Sequence, residues 1–156
     1  MILRFRPAEK QDSYQIWQWR NDPLTREMSR NGELIEWAQH TKWFETVLKD
    51  NERHLWIVSS GDEDVAVLRF DEMSADQYEI SINVNPAYRG QGMGASIIEM
   101  GCRKFLASID AVNASVLAVV QQANVASLRS FEKAGFEKDG LDENGWLRLV
   151  YKIASL

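Results

Sequence analysis

Arg89-Gly90-Gln91-Gly92-Met93-Gly94 is the stretch on which the reading of this chain turns. Before it, Tyr78, Ile80, Ile82 and Val84 alternate with Glu79, Ser81 and Asn83. That is the period of a strand with one apolar and one polar face. After it, Ile97, Ile98, Gly101, Phe105 and Leu106 recur at helical spacing, which predicts a helix from about Gly92 to Ser108. Between the two lie Pro86 and three alternating glycines. Glycine lets a backbone approach a ligand closely. A helix that opens there offers unpaired N–H groups and a partial positive charge, which suit a phosphate. The stretch reads as a strand that leads into a pyrophosphate cradle.

The remainder of the chain surrounds this unit with alternating elements. Ile2 to Arg6 reads as a strand that stops at Pro7, and Asp12 or Ser13 can cap a helix through Tyr14, Ile16, Trp17 and Trp19. Asn21-Asp22-Pro23 reads as its end, and Leu24 to Gly32 as an irregular segment. A second helix is predicted from about Leu34 to Lys49, with Trp37, Thr41, Phe44 and Leu48 at helical spacing. His54 to Ser59 and Val65 to Phe70 read as a hairpin about Gly61-Asp62-Glu63-Asp64. Met73 to Gln77 is a turn into the key strand. Past the central helix, Ser115 to Val120 is a strand and Asn124 to Ala134 a helix stopped by Gly135. Phe136 to Leu141 and Trp146 to Ile153 are strands joined through Asn144-Gly145. The order is β-α-α-β-β-β-α-β-α-β-β, an α/β chain with a mixed sheet in one domain over residues 1–156.

Composition narrows the function classes. Length and an apolar fraction of 45% suit one globular domain with a proper core. The net charge of −5 comes without a basic run, which argues against nucleic acid as a partner. Cys102 is the only cysteine, so no internal disulfide forms, which suits a reducing cytoplasm. On its apolar helix it reads as a packing residue. The start of the chain has no signal-peptide core, and no apolar run approaches ~18 residues, so no membrane partner is expected. His40 and His54 give no metal-ligand spacing, and no metal is expected.

Three readings of the glycine loop compete with a plain turn. A P-loop needs a lysine after its last glycine, and none is present. Gly90-Gln91-Gly92-Met93-Gly94-Ala95 fits the dinucleotide pattern, with Asp110 twenty residues beyond Gly90. That fingerprint starts directly at a strand end, whereas Asn85 to Arg89 intervene here. The strand also alternates, where a buried parallel strand would be apolar throughout. Arg-x-x-Gly-x-Gly between an alternating strand and a helix resembles the acetyl-CoA signature of the GNAT N-acetyltransferase superfamily. Asn124-Val125-Ala126-Ser127 followed by Gly135-Phe136 is similar to that family's second signature, although a capped helix explains it equally well in isolation.

The element order is also that of the GNAT acyl-CoA N-acyltransferase fold, so the resemblance covers essentially the whole chain. It implies acetyl-CoA as cosubstrate, held by Arg89, Gly90, Gln91, Gly92, Met93, Gly94 and Ala95, with Asn124 and Ser127 near the pantetheine or phosphates. It implies a splayed strand whose backbone N–H around Asn83 or Val84 meets the thioester oxygen. It places Glu79 where several members carry the group that accepts the amine proton. The plain reading of Glu79 is an exposed strand carboxylate or a salt-bridge partner. Many relatives have a proton-donating tyrosine where this chain has Phe131. A thiol with a pKa of roughly 8.5 is a tolerable leaving group without an acid, and Ser130 or water is another source. Homodimers are common in the family, with the last strands as the interface.

The acceptor side follows from a shorter match. Trp19-Arg20-Asn21 closing the first helix, then His40-x-x-Trp43-Phe44, is similar to the sugar-nucleotide N-acetyltransferases of pseudaminic and legionaminic acid biosynthesis. This implies the 4-amino group of a nucleotide-linked amino sugar as acceptor, with Trp19, Arg20, Asn21 and His40 as contacts. Aromatic faces stack on rings, and Arg20, Arg26 or Arg30 can hold a diphosphate. Trp17, Trp37, Trp43 and Phe44 read equally as helix core. Ribosomal-protein N-terminal acetyltransferases begin in a similar way, and a non-catalytic acyl-CoA-binding module is the non-enzymatic alternative.

Overall fold

A computed structural model describes residues 2–109 and 113–152. Asp110, singled out for its distance from Gly90, and Ile153, the expected end of the last strand, lie outside them. The strands are β1 (Leu3–Pro7), β2 (Arg53–Ser60), β3 (Glu63–Ser74), β4 (Gln77–Val84), β5 (Ser115–Val120), β6 (Glu137–Leu141) and β7 (Leu147–Lys152). The helices are α1 (Ser13–Arg20), α2 (Pro23–Met28), α3 (Trp37–Lys49), α4 (Met93–Ile109) and α5 (Val125–Lys133). The seven strands form one mixed sheet in the order β1-β2-β3-β4-β5-β7-β6. Among the described residues no helix is long and apolar enough to cross a membrane.

The chain divides into two compact units. The first comprises Met1–Arg69 and Ile82–Arg89. Its β1 pairs antiparallel with β2, from Leu3↔Ser60 to Pro7↔Trp56. Pro7 donates no ladder hydrogen bond and is tolerated because β1 is an edge strand. α3 buries His40, Phe44 and Val47, spaced four and three apart on one face. Phe44 and Val47 pack with Ala8, Ile16, Trp19, Leu55, Ile57 and Val67. Asp12 does not cap α1 with its side chain. Its carboxylate instead accepts from Nη1 and Nη2 of Arg6, both at 2.8 Å, and from the Glu9 N–H at 2.7 Å. Burial pushes the Asp12 pKa up, but the Arg6 and Glu9 hydrogen bonds outweigh it and hold it below the usual carboxylate range.

The second unit comprises Phe70–Ser81 and Gly90–Leu156. Phe70 stacks on Phe105 with centroids 4.2 Å apart, and Tyr78 meets Phe105 edge-on at 4.9 Å. α4 buries Ile97, Ile98, Gly101, Cys102, Phe105 and Leu106, the helical stripe expected from the sequence. A fully buried Phe contributes about 2–3 kcal/mol through its area alone, so Phe105 anchors the helix. β4 and β5 run parallel, and α4 is the crossover that this direction demands. β5 then pairs antiparallel with β7 over six residues, Ser115↔Lys152 to Val120↔Leu147.

Three expectations are corrected. The segment after Pro23 is the helix α2, so the order gains a third helix before β2. Asp22 caps it by accepting the Thr25 N–H at 3.1 Å, and Pro23 occupies the first helical position, where its missing N–H costs nothing. α3 begins at Trp37, three residues after the expected start, because Ile35 is bonded to Asn21 in an extended approach. β3 continues to Ser74, four residues beyond Phe70.

Candidate active site

The motif stretch is anchored before it reaches the glycines. The Asn85 N–H donates to the Val65 carbonyl at 2.8 Å, and the Asn85 side-chain amide donates to the Asp64 carbonyl at 3.0 Å. Asn85 Oδ1 accepts the Ala87 N–H at 3.0 Å and starts a single 3-10 turn, Pro86–Tyr88. Arg89 leaves that turn in extended conformation. Its Nη2 donates to the Asp22 carboxylate in a short contact and to Thr25 Oγ1 at 2.7 Å. Asp22 therefore caps α2 and clips Arg89 at once. Burial pushes its pKa up, but the bonds from Arg89 and Thr25 win and hold the carboxyl below its ordinary range. Sequence reasoning assigned no role to Asp22 or Thr25, although Asp-Pro is a cap followed by a first-turn proline.

In the second unit, Gly90 and Gly92 have φ of +75° and +74°. Nothing lies within 4 Å of a Cβ added at either, so the requirement is conformational. L side chains rarely adopt this region. Gly94 serves a different purpose. A Cβ there would come 2.9 Å from Ser130 Oγ, so Gly94 allows α4 and α5 to approach. Met93 and Ala95 are buried and fix the first turn of α4 beneath its N–H groups. Asn124 caps α5, its Oδ1 accepting the Ser127 N–H at 3.2 Å. Phe131 is buried and packs on Phe136 at 5.0 Å, so the side chain at this position is a core residue without a proton to give. These residues fit a pyrophosphate: a left-handed glycine loop runs directly into a seventeen-residue helix.

Glu79 sits at the last β4–β5 pair. Among the described residues that register holds three pairs, Gln77↔Ser115, Tyr78↔Val116 and Glu79↔Leu117, and then ends. β4 continues to Val84. Asn83 and Val84, its last residues, belong to the first unit and are half-buried.

The residues named for the acceptor fall into two groups. Trp19 is buried in the first unit's core. Asn21 spends both ends of its amide on Ile35: Oδ1 accepts the Ile35 N–H and Nδ2 donates to the Ile35 carbonyl, each at 2.8 Å. Trp17 Nε1 donates to the same carbonyl. Asn21 thus clamps the approach to α3. His40 is fully buried. Arg20 Nη1 lies 3.0 Å from His40 Nδ1, and His40 Nε2 lies 2.9 Å from the Ser13 carbonyl. A guanidinium only donates and a carbonyl only accepts, so His40 is the neutral Nε2–H tautomer. Burial, reinforced by Arg20, lowers its pKa to about 4, against a smaller opposing effect of the Ser13 bond. His40 is a positioning residue for Arg20.

The tryptophans expected as core divide. Trp17 and Trp43 are half-buried, while Trp37 is 43% exposed and joins Tyr14 and Trp17 in a surface cluster with centroids 5.2–5.9 Å apart. Among the described residues no group of three His, Cys, Asp or Glu side chains could hold a metal.

Residues 3–137 match the family model described as the acetyltransferase (GNAT) domain, and the chain belongs to that family. It is an N-acetyltransferase that uses acetyl-CoA. Solved structures share the fold at low identity. Aminoglycoside acetyltransferase AAC(6')-Ib in complex with coenzyme A is 18% identical, covering 97% of this chain and 95% of its own, with a TM-score of 0.82. Spermidine N-acetyltransferase from Vibrio cholerae, in complex with CoA and spermine, is 16% identical over 96% and 95%, with a TM-score of 0.84. Campylobacter jejuni N-acetyltransferase PseH, in complex with acetyl coenzyme A, is 15% identical over 98% and 100%, with a TM-score of 0.75. No curated protein matches the chain by sequence.

His40 sets a pH dependence. An unfolded histidine takes a proton near pH 6.5, whereas His40 in the fold stays neutral until about pH 4. The unfolded state binds more protons between those values, so stability falls as pH drops through that window, by at most about 3 kcal/mol. Urea denaturation at pH 7 and pH 5 is expected to show this loss in the wild type and a smaller one in His40→Phe. An equal loss in both would place the acid sensitivity elsewhere.

Proposed function

We propose that residues 1–156 act as one catalytic domain that moves the acetyl group of acetyl-CoA to a primary amine, the 4-amino group of a nucleotide-linked amino sugar. The observation that carries the transferase chemistry is the loop Gly90–Gly92, held in left-handed conformation at the start of α4. Gly90, Gln91, Gly92, Met93, Gly94 and Ala95 receive the pyrophosphate on backbone N–H groups, and Arg89 adds charge beside them. Asn124 and Ser127 contact the pantetheine or phosphate portion from the start of α5.

Acetyl transfer forms a C–N bond and breaks the thioester C–S bond. The amine must lose a proton, and the carbonyl oxygen must be stabilised as charge develops on it. Glu79, at the point where β4 leaves β5, accepts the amine proton directly or through water. The backbone N–H of Asn83 or Val84 donates to the thioester oxygen. The thiolate leaves without a protein acid at position 131, since Phe131 has no proton to give.

Support for the acceptor comes from the end of α1 and from α3. The stretch Trp19-Arg20-Asn21 followed by His40 resembles the corresponding stretch of the sugar-nucleotide enzymes. Trp19, Asn21 and His40 brace the segment, and Arg20, Arg26 or Arg30 meets a phosphate. The single buried thiol suits a cytoplasmic protein.

Thiol release from acetyl-CoA should be selective for UDP- or CMP-linked 4-amino sugars over short peptides, polyamines and aminoglycosides. Turnover with peptides alone would transfer the protein to the N-terminal acetyltransferases. Glu79→Gln should lower kcat by ten-fold or more and leave acetyl-CoA affinity nearly intact; an unchanged kcat across the pH range would remove Glu79 from the role. Gly92→Val, forced to a φ that β-branched residues avoid, should weaken CoA binding in calorimetry by ten-fold or more. Wild-type affinity would sink the cradle assignment.

A further inference from the structure

In the second unit both helices pack on the same face of the sheet. Tyr78, Val116 and Tyr151 lie side by side on β4, β5 and β7. Tyr78 meets Phe105 of α4, and Tyr151 meets Phe136 just past α5. α5 in turn packs on α4, with Ser130 against Gly94. That row therefore faces the helices. Side chains alternate along a strand, so the next row, Glu79, Leu117 and Val150, belongs to the opposite face. Val119 and Arg148 form the row beyond it on that same face. The register thus places Arg148 on the face that carries Glu79, two strands away and one row along.

The floor between these two charged residues is apolar. Leu117 is buried, and Val119 and Val150 are half-buried. Arg148 is half-buried as well, as an arginine is when its stem lies along apolar surface. Among the described residues its guanidinium makes no ion pair, hydrogen bond or ring contact. Glu137, opposite Val150 on β6, shares the face and is not paired with it. A carboxylate and a guanidinium at opposite ends of an apolar strip make a polar axis. Two strand spacings and two residues set their Cα atoms roughly 12 Å apart, and long side chains shorten the gap to be bridged. That span is too long for an amine and an anion on one carbon, as in an α-amino acid. It suits an amine and an oxyanion on opposite sides of a single ring, and the planar guanidinium fork matches such an anion.

We propose that Arg148 is a specificity-determining residue for the acceptor. It holds an oxyanion, phosphate or carboxylate, across a ring-sized spacer from the amine delivered at Glu79, with Leu117, Val119 and Val150 as the floor under the spacer. Sequence reading gave Arg148 no role, because only the pairing of β4, β5 and β7 brings it to this face. The assignment rests on the amine arriving at Glu79, as proposed above, but neither on Glu79 taking its proton nor on the acceptor being a sugar nucleotide. The axis fixes which way round the acceptor lies. An acceptor with a second cation in place of the anion meets like charge at Arg148, so polyamines are disfavoured.

Matched amines test the axis: trans-4-aminocyclohexyl phosphate, trans-4-aminocyclohexanecarboxylate, cyclohexylamine and trans-1,4-diaminocyclohexane. Each is titrated calorimetrically into protein saturated with CoA, and thiol release from acetyl-CoA gives its KM. In the wild type the oxyanion-bearing amines should bind about ten-fold or more tightly than cyclohexylamine, and the diamine more weakly still. Arg148→Gln should remove that preference, Arg148→Lys should keep part of it, and Arg148→Glu should turn it towards the diamine. KM for acetyl-CoA should not move in any of them. Preference for the carboxylate alone would keep the axis and discard the nucleotide-linked acceptor. An unchanged kcat in Glu79→Gln, with the oxyanion preference intact, would remove the base and leave the Arg148 assignment standing. Equal or undetectable binding of all these amines by the wild type, or an undiminished preference in Arg148→Gln, would overturn it.

Discussion

Strands β4 and β5 run in the same direction, and no tight turn can join such a pair. The chain must cross back over the sheet, and α4 is the element that does so. α4 opens directly after the glycine loop, so its first N–H groups have no partner within the helix. Gly90 and Gly92 supply the left-handed conformation that the chain adopts ahead of the helix. β5, for its part, pairs with β7 over six residues and with β4 over three. It is held firmly on one side, and the register with β4 can end early without loosening it.

The polar residues near the motif divide by what they can still offer a ligand. Asn21 engages both ends of its amide with Ile35. His40 has one nitrogen against a guanidinium and the other against a carbonyl, which leaves it no proton to exchange near neutrality. Asn124 gives its oxygen to the helix it caps. Among the described residues Arg89 is tied through Nη2. These commitments are why the chain can hold Arg20 and Arg89 in fixed positions: each cation is oriented by a neighbour that is itself immobilised.

Legibility in the sequence tracked local periodicity. α4 was readable because burial of one face imposes a period of 3.6 on its apolar residues, and β5 because a short continuous apolar run rich in valine marks a buried strand, which runs from Ser115 to Val120 as its composition suggested. α5 was marked at both ends by Asn124 and Gly135, whose φ of +104° explains the glycine. α2 was missed because six residues without a buried side chain carry no period, and Asp22-Pro23 serves equally as a stop and as a start. The tail of β3 was missed because Asp71, Glu72 and Ser74 are polar, Met73 alone gives no alternation, and its pairing is a tertiary matter. At the site, residues adjacent in sequence were found and residues adjacent only in space were not. Asp22 meets Arg89 across 67 positions, and Arg69 meets Trp43 across 26, with nothing local to announce either. The aromatic stripe was correctly suspected of building core at Phe44, but Trp37 is held at the surface by its neighbours' rings.

Cys102 carries a consequence for motion. It is the chain's single thiol, sealed on the inner face of α4, and burial pushes its ionisation well above the free-thiol range. Only the thiolate reacts, so the closed molecule is protected by both access and ionisation. Any event that exposes it must lift the helix whose first turn follows the glycine loop. The rate of thiol alkylation is therefore a clock for local opening at that loop. A ligand that binds only the closed form would slow the clock in proportion to its occupancy.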